Sequence, residues 1–365
     1  MGDGQDAGEA AALAHNSLGC QRLKDSFFNQ RSINMNYTRL IHWSAVFSRS
    51  LVLGLGLMAA VQAAHAQKTY PDKPIHMVIP FPAGGALDIL GRLIGERLAV
   101  QLKQPVLVEN RTGAGGNVGA EYVARSAPDG YTILLGSNGL ATTALYPNLK
   151  FDVLKDFGPL AYIGYAPLIL VVPANSPAKS LQDIIGMAKA DTEKISFASA
   201  GAGSSGHMAA ELLKHMAQVS MLHVPYRGGA PALVDLIAGR VSFMLLDPPQ
   251  ALPHIKSGRL RAIMVGSPKR FSLMPEVQTA VEAGYPHLEP VVWWGFVAPA
   301  NTPKNVVVKL TAEVKTALAD PGVRARLAEL GVSSEAKTPE QFGAYLRTET
   351  RKWNDLIKKA DLRAE

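Results

Sequence analysis

The chain has 365 residues, 47% apolar and 18% charged with no long biased tract, an ordinary globular composition large enough for two cores. Its formal net charge of +7 is spread along the sequence rather than gathered in a block; this points to a mildly basic solvated surface, and no nucleic-acid partner is expected. The single cysteine, Cys20, lies upstream of a segment read as removed, which excludes disulfide staples, zinc–cysteine sites and thiol nucleophiles from the mature protein.

Residues 35–66 read as a secretory signal. Arg39 and Arg49 supply a positive start, Leu51–Val61 a short apolar run, and Ala64-His65-Ala66 the small–x–small pattern that precedes cleavage. The run is shorter than the roughly 20 apolar residues a membrane-spanning helix needs. Cleavage after Ala66 and release into the periplasm are expected. No cysteine follows, so no lipid anchor is expected. Residues 1–34 read either as an upstream extension from an early start codon or as an unusually long n-region, which leaves Met1 and Met35 both open as starts.

From Pro74 onward, β-rich runs alternate with helical periodicity. Ile75–Pro80 reads as a strand, and Leu87, Leu90, Ile94 and Leu98 recur at helical spacing. Val106–Val108 (strand), Val118–Arg125 (helix) and Tyr131–Leu135 (strand) follow. After Pro173 come helix Leu181–Ala190, strand Ile195–Ala198, helix His207–Met216, strand Met221–Val224, helix Ala230–Ala238, and strands Val241–Leu246 and Leu260–Val265. The tail is helical, with a stripe of Val307, Leu310, Val314 and Leu318 and a second amphipathic segment from Pro339 to Lys359. This βαβ rhythm predicts an α/β fold of mainly parallel sheets flanked by helices.

Two near copies, Leu170-Val-Val-Pro-Ala-Asn-Ser-Pro177 and Phe296-Val-Ala-Pro-Ala-Asn-Thr-Pro303, stand 126 positions apart. They are either unrelated strand-to-helix turns or the outward and return crossings between two lobes, with Ser176 and Thr302 available to cap the helices that follow. On the second reading, 67–170 and 299–365 form lobe 1, and 171–298 form an inserted lobe 2 on a two-strand hinge.

Four turns are rich in glycine: Phe81-Pro82-Ala83-Gly84-Gly85, Thr112-Gly-Ala-Gly115-Gly116-Asn117, Ala200-Gly201-Ala-Gly203-Ser204-Ser205-Gly206 and Tyr226-Arg-Gly-Gly229. Glycine allows close backbone approach, and the helix behind each turn presents unpaired N–H groups and a positive dipole end. One terminus contributes roughly 0.3–1 kcal/mol at an exposed surface and up to about 2 kcal/mol when sheltered. Several converging termini with desolvated hydrogen bonds reach about −8 kcal/mol, a micromolar binder. The turns hold few basic side chains and no P-loop, so a carboxylate fits better than a triphosphate. Gly201–Gly206 matches G-x-G-x-x-G, but Pro225-Tyr-Arg-Gly stands where the ribose-binding acid belongs, which leaves a nucleotide-dependent oxidoreductase as a minor alternative.

Catalytic patterns are missing. There is no G-x-S-x-G elbow, no H-E-x-x-H and no paired metal spacing; no enzyme, cofactor or metal is expected. His207 beside Ser204 and Ser205 reads as a cap or ligand contact. Asp88 complements the helix dipole, orients its glycine turn or touches ligand. Asp247, before Pro248-Pro249, reads as a turn residue near a cleft. Tyr226 divides between core and ligand wall; of Trp293 and Trp294, one is expected in the hinge core and the other against the pocket.

Tyr70-Pro-Asp-Lys-Pro74, Pro80-Phe-Pro-Ala-Gly-Gly85 with Asp88, Val108–Asn117, Asp129-Gly-Tyr-Thr132, Gly201–His207, His223–Ala232, Pro253–Gly258, Glu282-Ala-Gly284, Ala298–Pro303 and Lys352-Trp353 together resemble the periplasmic receptors of tripartite tricarboxylate transporters, the Bug family of solute-binding proteins. The resemblance covers essentially the whole mature chain. It implies a two-lobed Venus-flytrap fold and a bound small carboxylate. It also implies that the turns matching Pro80–Gly85 and Gly113–Asn117 grip one carboxylate through backbone groups and ordered waters, while Ser199–His207 and the segment near Asp247 shape the distal end. Pro248-Pro249 depart from the polar residues common in the family. The expected ligand-binding set is Phe81, Pro82, Ala83, Gly84, Gly85, Asp88, Gly115, Gly116, Asn117, Ser137, Asn138, Ser199, Gly201, Gly203, Ser204, Ser205, His207, Tyr226 and Asp247. The expected partners are membrane permease subunits or, for an orphan receptor, a sensor kinase; a monomer is expected.

Overall fold

Residues 70–364, other than 192, 193 and 336, are described by the computed structural model. The upstream extension, the signal segment and Cys20 lie outside the described residues. From β1 (Ile75–Ile79) the chain runs through α1 (Ala86–Leu102), β2 (Val106–Asn110), α2 (Asn117–Ala124), β3 (Thr132–Gly136) and the long β4 (Phe157–Pro167). Next come β5 (Ile169–Pro173), α3 (Leu181–Ala190), β6 (Ser196–Ser199), α4 (Ser205–Ala217), β7 (Leu222–Pro225), α5 (Gly229–Ile237), β8 (Phe243–Leu246), α6 (Pro248–Lys256) and β9 (Leu260–Val265). β10 (Val291–Pro299), α7 (Lys304–Ala319), α8 (Pro321–Glu329), the short β11 (Ser333–Ser334) and α9 (Pro339–Lys359) complete the order.

The strands form two sheets, β11-β4-β10-β3-β1-β2 and β7-β6-β8-β5-β9. Both are mixed, where mainly parallel sheets were expected. β2, β1 and β3 are parallel, as are β7, β6 and β8, because βαβ crossovers connect them. β10 and β4 pair antiparallel in the first sheet, and β5 with β8 and β9 in the second. These are the strands next to the passages between sheets, where no βαβ crossover dictates direction.

Sheet membership also changes at other residues than 171 and 298. β4 ends at Pro167 and β5 starts at Ile169, so Leu168 is the outward link; the return lies at Pro290–Val291, because all of β10 pairs in the first sheet. The two links are hydrogen-bonded, Leu168 N–H to the Pro290 carbonyl at 2.9 Å. The echoed Pro-Ala-Asn-Ser/Thr-Pro segments therefore follow strands of different sheets. Neither Ser176 nor Thr302 caps a helix. α3 starts at Ser180 with a capping box to Asp183, and Thr302 turns its hydroxyl back to the Pro299 carbonyl at 2.7 Å.

Strand alternation explains how each sheet carries helices on both faces. Ile75, Met77 and Ile79 meet Leu87, Leu90, Ile94 and Leu98 of α1 and Val306, Leu310 and Val314 of α7. Val78 points the other way, with Leu134, Trp293 and Val297, onto Phe342, Leu346 and Trp353 of α9. The buried face of α7 is thus set by Val306, Leu310, Val314 and Ala317, one step from the expected stripe, and Val307 and Leu318 fall at its margin. In the second sheet Phe197, Phe243 and Leu245 face α3 and α4, while Ala198, Met244 and Leu246 face α5 and α6. The carboxyl ends of both parallel strand sets consequently lead into helix N-termini.

Candidate functional site

Those helix starts meet at a central cavity of about 40 Å³. From the first sheet come Phe81, Pro82, Gly85, Ala86 and Leu87 around the start of α1, with Ser137 after β3. Opposite lie Ala200, Ser204, Ser205 and Gly206 at the start of α4, Gly229 at the start of α5, and Asp247 and Gln250 at the start of α6. Val292 of β10 also lines it. Among the described residues no Lys, Arg or His lines this space, so an anion in it is held by N–H and hydroxyl donors and by helix ends. A smaller recess beside Phe81 and Ser137 is lined by Gly115, Gly116 and Asn117. A wider opening of about 600 Å³ carries Gly201, His207 and Tyr226 on its wall, together with Lys214, His223 and Arg227.

The first turn is held by a buried carboxylate. Asp88, 5% exposed, accepts from Gly84 N–H (3.0 Å), Arg92 Nε (3.0 Å) and Asn110 Nδ2 (3.0 Å). Asn110 Nδ2 also donates to the Phe81 carbonyl at 2.9 Å. Burial alone would raise the Asp88 pKa; the hydrogen bonds from Arg92, Gly84 and Asn110 and the Arg92 charge outweigh it and hold the group below the usual carboxylate range. Asp88 therefore orients its turn and does not reach the cavity. Ala83 and Gly84 sit on the outer, exposed side of that turn.

The second-sheet turn is stiffened in the same way. The Ser199 hydroxyl accepts from Gly201 N–H at 3.1 Å and lies 2.7 Å from His223 Nε2. His207 Nδ1 accepts from Gly203 N–H at 3.1 Å, so the proton of the neutral ring resides on Nε2. The His207 and His223 rings stack at 4.1 Å between centroids. Burial, then the neighbouring His223 and Lys214, push the His207 pKa down to about 3; burial and Lys214 push His223 down to about 4. Both rings are neutral at physiological pH. Ser204 caps α4 by accepting from His207 N–H at 3.4 Å.

Asn117 donates to the Ala114 carbonyl at 2.8 Å and shapes its turn. Asn138 is fully buried; it donates to the Val291 carbonyl (3.0 Å) and accepts from Trp293 N–H (3.0 Å), which ties the loop after β3 to the return link. The Tyr226 hydroxyl donates to Asp235 at 2.7 Å, so its ring walls the wide opening. Both tryptophans are fully buried on opposite faces of β10, and neither lines the cavity, where one was expected; the strand's contribution is Val292. Asp247 opens a helix instead of a turn, because proline is tolerated at the first helical positions.

Sequence reasoning missed Thr142 and Tyr146. Thr142 stands between two short 3₁₀ turns (Asn138–Ala141 and Thr143–Leu145) in the loop between β3 and β4, Tyr146 ends the second, and both reach the other half of the molecule: Thr142 Oγ1 donates to the Gly203 carbonyl at 2.8 Å, and the Tyr146 hydroxyl to the Ala202 carbonyl at 2.8 Å. Among the described residues no group of three or more His, Cys, Asp or Glu is placed to hold a metal, and no helix is long and apolar enough to cross a membrane.

Two mixed α/β sheets joined by adjacent links, with helix starts facing each other over a crevice, define the periplasmic-binding-protein class of fold. The match to known proteins is specific. Residues 90–362 match the model of the tripartite tricarboxylate transporter family receptor, and the chain belongs to that family of periplasmic solute-binding receptors. It is 35% identical to the protein BugT of Bordetella pertussis (strain Tohama I) over 327 residues, 89% of this chain and 98% of that one. Among solved structures, Rpa4515 of R. palustris with adipate is 32% identical with a TM-score of 0.78, covering 81% of this chain and 99% of that chain. MatC from Rhodopseudomonas palustris with bound malate is 34% identical with a TM-score of 0.76, covering 79% and 100%. The periplasmic binding protein BugD is 34% identical with a TM-score of 0.77, covering 81% and 100%.

Proposed function

We propose that this protein is an exported receptor that captures a small carboxylate between two lobes and delivers it to the membrane subunits of a tripartite tricarboxylate-type transporter, with no chemistry performed on the ligand. The observation that carries this reading is the pair of helix starts, α1 with Gly85–Leu87 and α4 with Ser204–Gly206, on opposite walls of one cavity lined, among the described residues, by no cationic side chain. Backbone donors fixed in advance hold an anion without the cost of reorganising a charged side chain. The adipate and malate bound by two structural relatives fit the same chemistry. On this reading the lobes are the two sheets with their helices, hinged at Leu168 and Pro290–Val291. The ligand contacts are centred on Phe81, Pro82, Gly85, Ser137, Ser204 and Ser205, and export follows cleavage after Ala66.

The test is a thermal-shift screen of small mono-, di- and tricarboxylates on the mature chain. A cognate acid at 100 times its Kd stabilises the folded state by about 2.7 kcal/mol, an upward Tm shift of several degrees. A protein whose melting is indifferent to every acid tried would end this reading.

Closure also sets an expectation for the contacts across the cleft. Tyr146→Phe removes the bond to the Ala202 carbonyl, and Thr142→Val the bond to Gly203. Each neutral hydrogen bond contributes about 0.5–1.5 kcal/mol net, so each variant is expected to bind roughly two- to tenfold more weakly by calorimetric titration. Unchanged affinity in both would mean that these contacts do not accompany binding.

A further inference from the structure

The far end of the central cavity is built differently from the anion-binding end. Asp247 follows β8, opens α6 and, among the described residues, is the one ionisable side chain lining the cavity. At a helix N-cap a carboxylate ordinarily accepts from the N–H of the second or third helical residue. Here the first two helical residues are Pro248 and Pro249, which have no N–H, and Gln250 directs its own N–H to the Asp247 carbonyl at 3.0 Å. No backbone cap reaches the carboxylate. Among the described residues its hydrogen bond is to Gln250 Nε2, 3.3 Å from Oδ2, and none reaches Oδ1. The same two prolines delete the donors that α6 would otherwise offer to an anion. Burial pushes the Asp247 pKa up to about 6, against the smaller opposing effect of Gln250.

We infer that Asp247 is the specificity-determining residue of the cleft: it accepts a hydrogen bond from an ammonium or hydroxyl group carried by the bound carboxylate, so that the ligand is an amino- or hydroxy-carboxylate and not a plain dicarboxylate. The inference rests on the receptor reading and deepens it. The ligand's carboxylate takes the donors at α1 and α4, and its donor group satisfies the acceptor that the prolines leave bare. An unsubstituted dicarboxylate would set a second carboxylate against Asp247, and like charges side by side in a sheltered cleft oppose binding unless one takes up a proton.

Calorimetric titration of the mature chain with length-matched acids tests it: succinate, 4-aminobutyrate and 4-hydroxybutyrate, and the corresponding sets one carbon shorter and longer. The best donor-bearing acid is expected to bind at least tenfold more tightly than the dicarboxylate of its length. Asp247→Asn should erase most of that preference. Pro249→Ala keeps the carboxylate but returns a backbone N–H to it, and should weaken the preference several-fold; thermal melts of both variants check that they fold. Stronger binding of ammonium than of hydroxyl acids assigns an ion pair, and equal binding a neutral hydrogen bond; both support the assignment. Dicarboxylates binding as tightly as their donor-bearing counterparts, with the ratio unmoved in both variants, would overturn it and leave the receptor reading intact. Failure of every acid to bind would overturn both.

Discussion

Gly115→Val is expected to weaken carboxylate binding by roughly ten- to 100-fold while both sheets remain folded. Gly115 lies in the turn between β2 and α2 at φ +63°, and a Cβ added there would stand 2.2 Å from the Ala202 carbonyl oxygen and 2.7 Å from the Tyr146 hydroxyl. Ala202 belongs to the turn before α4, on the opposite wall of the cleft. Against Ala202 the intruding group therefore acts as a doorstop: that clash is absent with the walls apart and obstructive when they meet. Overpacking of this kind costs about 1–3 kcal/mol, which converts to the stated range of affinity. The left-handed backbone adds about 1–2 kcal/mol of strain for a non-glycine residue, but that penalty applies with the cleft open or closed and appears as lost stability instead of lost affinity. Small-angle scattering separates the two effects. The wild type should contract at saturating ligand, and the variant should keep its dimensions. A variant that binds and contracts like the wild type would mean that the close approach of these two turns is not the bound geometry.

Asp88→Ala should destabilise the protein by about 3 kcal/mol at neutral pH and reduce ligand affinity with it. The carboxylate joins Gly84, Arg92 and Asn110, and Asn110 in turn holds the Phe81 carbonyl, so one side chain fixes both ends of the turn that precedes α1. Hydrogen bonds to an ionised group contribute about 1.5–3 kcal/mol each; Arg92 is half exposed and recovers part of its loss from water. The sign with pH follows from the lowered pKa. The stabilisation is fully present above the unfolded carboxyl value of about 3.9 and is lost as pH falls through the folded value. Denaturant unfolding of wild type and variant at pH 7 and near pH 3 should therefore show a gap that narrows in acid. A gap of the same size at both would show that the ionised carboxylate is not what holds the turn.

How far the sequence could be read depended on whether a signal was local. α3 and α9 were legible from end to end because each couples a buried stripe to a capping box, Ser180 with Asp183 and Thr338 with Gln341. β4 was not read: Pro159 and Gly164 interrupt it, and its interior is buried on both faces, so no alternation shows. α6 was hidden by Pro248-Pro249, which look like a turn unless a helix is already known to begin there. The glycine turns stood out because close backbone approach demands glycine whatever the surroundings. Thr142, Tyr146, Asn110 and Gln250 carry no comparable mark; their partners are 3 to 61 positions away and are chosen by the tertiary fold. Asn138, Ser199 and His207 were conspicuous as polar residues near glycine turns, yet their hydrogen bonds go to backbone groups and, for Ser199, also to the His223 ring, all of which shape the site. Residue type announces that a polar group has a task; it does not say whether the task faces the ligand or the scaffold.

The central claim, that N–H groups at opposed helix starts hold a carboxylate, is tested most directly by an amide-resolved NMR titration with the acid selected by thermal shift. The largest shifts at saturation are expected at Gly85, Ala86 and Leu87 of α1 and at Ser205 and Gly206 of α4, moving together along one binding curve. Saturable binding that leaves these five amides unmoved would contradict the account.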